Sequence, residues 1–146
     1  MKSKRQSTPA TLAPDTLDLL EHVLGARLPA PYRAWLAHRN GQLPKDRYVT
    51  FMANGRQSET HLHYLYAVNS SESFNDLWTY HSRYGAVYRH WYLSIGGDDF
   101  GNQFLLALKG PDHGKVFFCD HELPFDTALH LIANSFDDFI AGLRPD

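Results

Sequence analysis

Apolar residues recur along this chain with two different periods. In "PDTLDLLEHVLG", Leu17, Leu20 and Leu24 are spaced to share one face of a helix, with Asp15 and Asp18 near its positive N-terminal end and Gly25 as its stop. "LPAPYRAWLAHRNG" predicts a second, shorter helix. Pro31 suits its first turn, Tyr32, Trp35 and Leu36 share a face, and Asn40-Gly41 offers a left-handed exit. The period then changes. "RYVTFMA" and "THLHYLYAV" are dominated by β-branched and aromatic residues and predict a hairpin, turned by the polar "NGRQSE". "SSESFNDLWTYHSRYG" returns to helical spacing through Phe74, Leu77 and Trp78, with Ser73 and Asp76 as a capping pair.

Three apolar runs follow, "HWYLSI", "QFLLALK" and "KVFFCD", joined by "GGDDFGN" and "GPDHG". Turn residues at both joints make them a meander. "NSFDDFIAGL" closes the pattern as a helix with Ser135 as N-cap, Asp137 and Asp138 in the first turn, and Phe136, Phe139, Ile140 and Leu143 as its buried stripe. The strand joints are too short for parallel crossovers. The pattern therefore predicts an α+β fold, a single domain with a central antiparallel sheet and N-terminal, middle and C-terminal helices packed around it. Residues 1–12 are expected to form a disordered tail, leaving 13–146 as the domain.

Composition narrows the function. At 146 residues, 43% hydrophobic and 21% charged, the chain can bury one core without staples, and three Trp, eight Tyr and nine Phe make that core rich in flat rings. A net charge of −2 supplies no global field for nucleic acid or an anionic membrane. No stretch approaches the roughly 20 apolar residues of a membrane span, and the basic start lacks the apolar centre of a signal peptide. Cys119 is the single cysteine, so no internal disulfide forms and a reducing cytoplasm is the expected compartment.

"SIGGDDFGN" is the stretch that invites chemistry. A phosphate cradle would place its glycines between a strand and a helix, but a strand follows here, and the acids would repel phosphate. A calcium loop wants acids or amides at alternating positions and a distal carboxylate, whereas Asp98 and Asp99 are adjacent. A structural turn is the reading the residues favour. Nine histidines include His61 and His63 on one side of a strand, and Asp112-His113 and Asp120-His121. None has diagnostic metal-ligand spacing, so hydrogen-bonded or surface histidines are expected, with no metal and no cofactor. Cys119 follows two phenylalanines in a predicted central strand, which suits a buried, inert thiol. No catalytic set emerges, and the chain is expected not to be an enzyme.

Charge is uneven along the chain. From Met1 to Gly97, 11 Lys/Arg stand against 7 Asp/Glu, and from Asp98 to Asp146, 3 stand against 9; these balances of +4 and −6 make up the net −2. Most of the later acids fall in turns and helix starts, positions expected to face water. They serve either as caps and solubilising charges or as an acidic face for a basic protein partner. Successive joints of a meander lie at opposite ends of the sheet, so Asp98, Asp99, Asp120, Glu122 and Asp126 are expected to share one end and Asp112 to lie at the other. Tyr or Trp side chains of the aromatic middle are candidate central anchors there.

Four segments together resemble the SUKH superfamily, which includes fungal cell-wall assembly regulators and many bacterial immunity proteins. They are "LPAPYRAWLAHRNG", "YLSIGGDDFGNQFLLAL", "GKVFFCDHE" and "NSFDDFIAGL", in the family's order over about Pro14 to Leu143. The resemblance implies a single α+β domain with a non-enzymatic role. It also implies that Leu28, Pro29, Tyr32, Asn40, Gly41, Gly96, Gly101, Ser135 and Phe136 are scaffold positions. Bacterial members similar to it bind a cognate toxin, often a nuclease or deaminase, and block it inside the producing cell. The aromatic middle, longer than the family's, is a departure, and contact residues vary between members. Two alternatives stand beside an immunity protein: a regulatory or scaffold module, and a hydrolase using the histidines.

Overall fold

The computed structural model describes residues 11–146, so the expected tail lies outside the described residues except at its end. Leu12 already belongs to the core. It is buried, and its N–H donates to the carbonyl of Ala37 at 3.0 Å. Helix α1, Pro14–Leu24, buries Leu17, Leu20 and Leu24 and ends at Gly25 with φ +69°. Helix α2, Ala30–Arg39, carries proline in its first turn and buries Tyr32 and Leu36. Just past it Gly41 adopts φ +78°, and a side chain there would also collide with the Cβ of Ala67.

Strands β1, Tyr48–Ala53, and β2, Arg56–His61, form the expected hairpin, but the turn is only Asn54-Gly55. Both residues have positive φ, 55° and 79°, the geometry whose twist matches two antiparallel strands, so most of "NGRQSE" is strand. "THLHYLYAV" does not run as one strand either. After His61 the chain leaves the hairpin, and β3, Tyr64–Leu65, joins a five-stranded antiparallel sheet ordered β3-β4-β5-β6-β7.

The meander supplies β4, Tyr92–Gly97, β5, Gln103–Ala107, and β6, Val116–Cys119. Two elements lie outside the sequence reading: a one-turn helix α4, Phe125–Ala128, and β7, Leu129–Ala133. Helix α3, Leu77–Tyr84, starts later than expected because Asp76 alone caps it, accepting from the N–H of Thr79 at 3.0 Å. Ser73 and Phe74 sit in a preceding 3-10 turn, and Phe74 is exposed rather than packed. Ser135 caps α5, Phe136–Ala141, as the sequence predicts, accepting from Asp138 N at 3.0 Å. Beyond α5 the backbone of Arg144 pairs with that of Tyr48 through two bonds of 3.0 Å, tying the end of the chain to β1.

Every residue of β5 and β6 is buried, because the sheet is covered on both faces. Phe104, Leu106, Val116 and Phe118 face a core shared with α1, α2, α5 and the hairpin. Leu105, Ala107, Phe117 and Cys119 face a second core with Tyr88 and Ala128. This double covering explains why the strands read as unbroken apolar runs. The protein is α+β, with helices packed around an antiparallel sheet. No helix among the described residues is long and apolar enough to cross a membrane.

Asn40 is buried, and its side-chain amide spans one backbone residue: Nδ2 donates to Val68 O at 2.9 Å and Oδ1 accepts from Val68 N at 2.8 Å. Replacing it with alanine strands both groups, so Asn40→Ala is expected to lower the unfolding free energy by about 1–3 kcal/mol in urea melts. Gly96 differs from Gly101: it sits in β4 without positive φ, and a Cβ there would collide with the Tyr64 carbonyl oxygen. Gly96→Ala should therefore cost a similar roughly 1–3 kcal/mol, through steric overlap between β3 and β4.

Candidate functional site

The loop between β4 and β5 is organised by its first acid. Asp98 is 5% exposed, and its carboxylate accepts from four donors. Oδ1 takes the N–H groups of Phe100 at 2.9 Å and Asn102 at 3.0 Å; Oδ2 takes Thr60 Oγ1 at 2.8 Å and Asn102 Nδ2 at 2.9 Å. Donors converge where a cation would need acceptors, and the loop amides that a phosphate would need are already spent. The loop is a turn held from within. Asp98 therefore does not face water, a correction to the reading that placed it on an acidic surface, and its bond to Thr60 ties the hairpin to the sheet.

The next two residues turn outward. Asp99 is half-exposed and paired with His63 Nδ1 at 2.7 Å, and Phe100, 74% exposed, projects beside it. Asn102 Oδ1 accepts the N–H of His121 at 3.1 Å, which joins this loop to the turn after β6. The register requires it, since Gln103 at the start of β5 pairs with Cys119 at the end of β6. In that second turn Asp120 Oδ1 accepts from Glu122 N at 3.0 Å, while Glu122 and Leu123 are exposed. Asp99, Phe100, Asp120, Glu122 and Leu123 thus occupy one end of the sheet.

Asp126 does not join them. It lies on α4, over the second face, paired with Arg89 at 2.7 Å. Asp112 is in the β5–β6 joint, bound to Lys115 at 3.0 Å. Rings of the aromatic middle mostly stack on one another, with Tyr66 and Tyr80 centroids 4.0 Å apart. Tyr64 and Phe74 are nearer the acidic end: Tyr64 meets His63 edge-on at 4.3 Å and Phe74 at 5.9 Å. Phe100 was missed by sequence reasoning, although an aromatic residue in an otherwise polar glycine turn is a signal for it.

Two histidines form pairs with acids, His61 with Asp146 at 2.8 Å and His63 with Asp99, and among the described residues no three ligating side chains gather as a metal site would need. Burial pushes the Cys119 thiol up to about 11, against a smaller opposing effect of its hydrogen bond with Tyr88. The scaffold positions are built into packing. Tyr32 meets Phe136 edge-on at 5.2 Å, joining α2 to α5, and Leu28 N donates to Glu21 Oε2 at 2.7 Å, fixing the α1–α2 corner.

Two measurements separate scaffold from surface here. Asp98→Ala frees four donors and is expected to cost about 1–3 kcal/mol in denaturant melts, whereas Asp99→Ala should stay within roughly 0.5 kcal/mol of the parent. Iodoacetamide at pH 8 is expected to label Cys119 only as fast as the protein opens, with labelling accelerating sharply on addition of urea. Rapid labelling of the folded protein would place the thiol at the surface instead.

At this end of the sheet the structure presents acids beside the exposed side chains of Phe100 and Leu123. No curated protein matches the chain. The model of the SMI1/KNR4 family (SUKH-1) matches residues 11–142, nearly the whole length over which the scaffold positions are packed, and the chain belongs to that family.

Proposed function

We propose that this protein is a non-enzymatic immunity protein that binds a cognate toxin in the bacterial cytoplasm and neutralises it by occupying its active cleft. Family membership supports a protein-binding module of the immunity or regulatory kind. The observation that carries the finer reading is the end of the sheet where the turns bearing Asp99, Asp120 and Glu122 are joined and Phe100 is exposed. Carboxylates at the same end as an exposed ring offer charges that steer and an apolar group that anchors. A nuclease presents a basic cleft shaped for phosphates, and such carboxylates stand in for the nucleic-acid backbone there.

Asp98 is excluded from this surface, so the test reverses only outward acids. Asp99→Lys with Glu122→Lys is expected to slow association with the cognate toxin and to flatten its salt dependence, with unchanged melting. Phe100→Ala should instead speed dissociation, by about tenfold or more if the ring is an anchor. Stopped-flow binding across salt concentrations, with co-expression survival, reads both effects. Parental rates and full protection in both variants would sink the acidic-end mechanism.

A further inference from the structure

A second feature lies away from the acidic end, over the sheet face that α4 covers. Tyr88, Trp91, Tyr92 and Phe125 wall a cavity of about 320 Å³, and Arg89 and Asp126 stand at its lining. That volume is at the lower end of the roughly 300–1,000 Å³ typical of ligand sites, which suits one side chain rather than a cofactor. The rings are ordered among themselves: Phe125 is 5.3 Å from Tyr88 and 5.7 Å from Tyr92, centroid to centroid. Trp91 is 47% exposed, with its other side packed close above Gly110, where an added Cβ would approach the indole to 2.8 Å.

The cavity is served by a cation from its own chain. The Arg89 guanidinium sits 5.6 Å from the Phe125 ring centroid and donates to Asp126 Oδ1 at 2.7 Å. Aromatic faces with one carboxylate are the chemistry that holds an organic cation. Exposure makes Arg89 a weak partner for the ring and the carboxylate. Both it and Asp126 are largely exposed, and an exposed ion pair of this kind exchanges readily with solvent and competitors. Arg89 and His90 also have consecutive left-handed backbones, φ +58° and +57°, a conformation non-glycine residues adopt under constraint.

We infer that this aromatic cavity is a receptor for an arginine side chain of a protein partner, and that Arg89 is an internal placeholder that the incoming guanidinium displaces. A planar guanidinium matches both the ring faces and the carboxylate fork, which an ammonium does not. The site is on a different part of the molecule from Asp99 and Phe100 and stands whether or not the acidic end contacts a toxin.

N-acetyl-arginine methylamide is the probe, with Trp91 fluorescence and amide NMR shifts as readouts. Arg89→Gly removes the placeholder and suits the positive φ, so this variant is expected to fold at least as well as the parent and to bind the probe about fivefold or more tightly. Adding Asp126→Asn should weaken that binding at least fivefold, and N-acetyl-lysine methylamide should bind more weakly than the arginine probe. Trp91→Phe should abolish the fluorescence change while leaving the NMR shifts. If Arg89→Gly disturbs the fold, Arg89→Asn, which tolerates the left-handed region, serves in its place. No saturable response in the folded variant, or a response indifferent to Asp126→Asn, overturns the proposal.

Discussion

The fold hangs on one side-chain amide. Asn40, at the end of α2, replaces both hydrogen-bond partners that Val68 would find in a strand, and it does so where the chain leaves the sheet for α3. Three elements converge on the adjoining residue. Ala67 N donates to Asn75 O at 2.9 Å, its own carbonyl accepts from Leu77 N at 2.9 Å, and its Cβ lies against the backbone of Gly41. A buried backbone group without a partner is costly, so this crossing requires a short bidentate amide followed by a residue with no side chain. The Asn-Gly pair meets both demands.

Covering the sheet on both faces has a second consequence. Polar groups inside the β4–β5 pair must satisfy one another, and Gln103 does so by accepting from both Tyr66 Oη, at 2.9 Å, and Ser94 Oγ. Burial and the neighbouring Tyr80 push the Tyr66 hydroxyl well above its ordinary range, so it remains a neutral donor. The tyrosines of the middle segment then continue outward from this network. Tyr66, Tyr80, Tyr84 and Tyr88 form successive stacked contacts that lead to Phe125 and the cavity of the second face. The aromatic middle thus bridges the two cores, Tyr66 and Tyr80 packing with the first and Tyr84 and Tyr88 with the second, with an exposed edge at Arg89 and Trp91.

Periodicity and caps made much of this legible in the sequence. Leu17, Leu20 and Leu24, the β4–β6 meander, and Ser135 before α5 follow from local rules that tertiary contacts reinforce. What stayed hidden depends on partners distant in sequence. "LHLIA" alternates poorly and is half-buried except at the exposed Leu131, so β7 becomes a strand only because β6 offers it an edge. "THLHYLYAV" is uniformly β-prone, and nothing local marks the break at Leu62-His63 where it passes from the hairpin to the sheet. At the candidate site, the meander arithmetic placed Asp99, Asp120 and Glu122 at one end. It could not tell Asp98 from Asp99, because which adjacent carboxylate turns inward is decided by Thr60 across the fold.

That inward turn explains how a surface can vary on a fixed frame. The backbone amides of Phe100 and Asn102 are satisfied by Asp98, and Asn102 in turn holds the neighbouring turn through His121. Gly101, at φ +90°, supplies the left-handed step between them, and a side chain there would press on the His121 ring. Asp98, Gly101 and Asn102 therefore determine the shape of the loop, while Asp99 and Phe100 add almost nothing to it. An exposed charge and an exposed ring can be exchanged at small cost in stability. A protein-binding module gains from that separation: a fixed shape below, free choice of side chain above. Counting acids overstates the exposed charge at this end, because Asp98, unlike the adjacent Asp99, belongs to the frame.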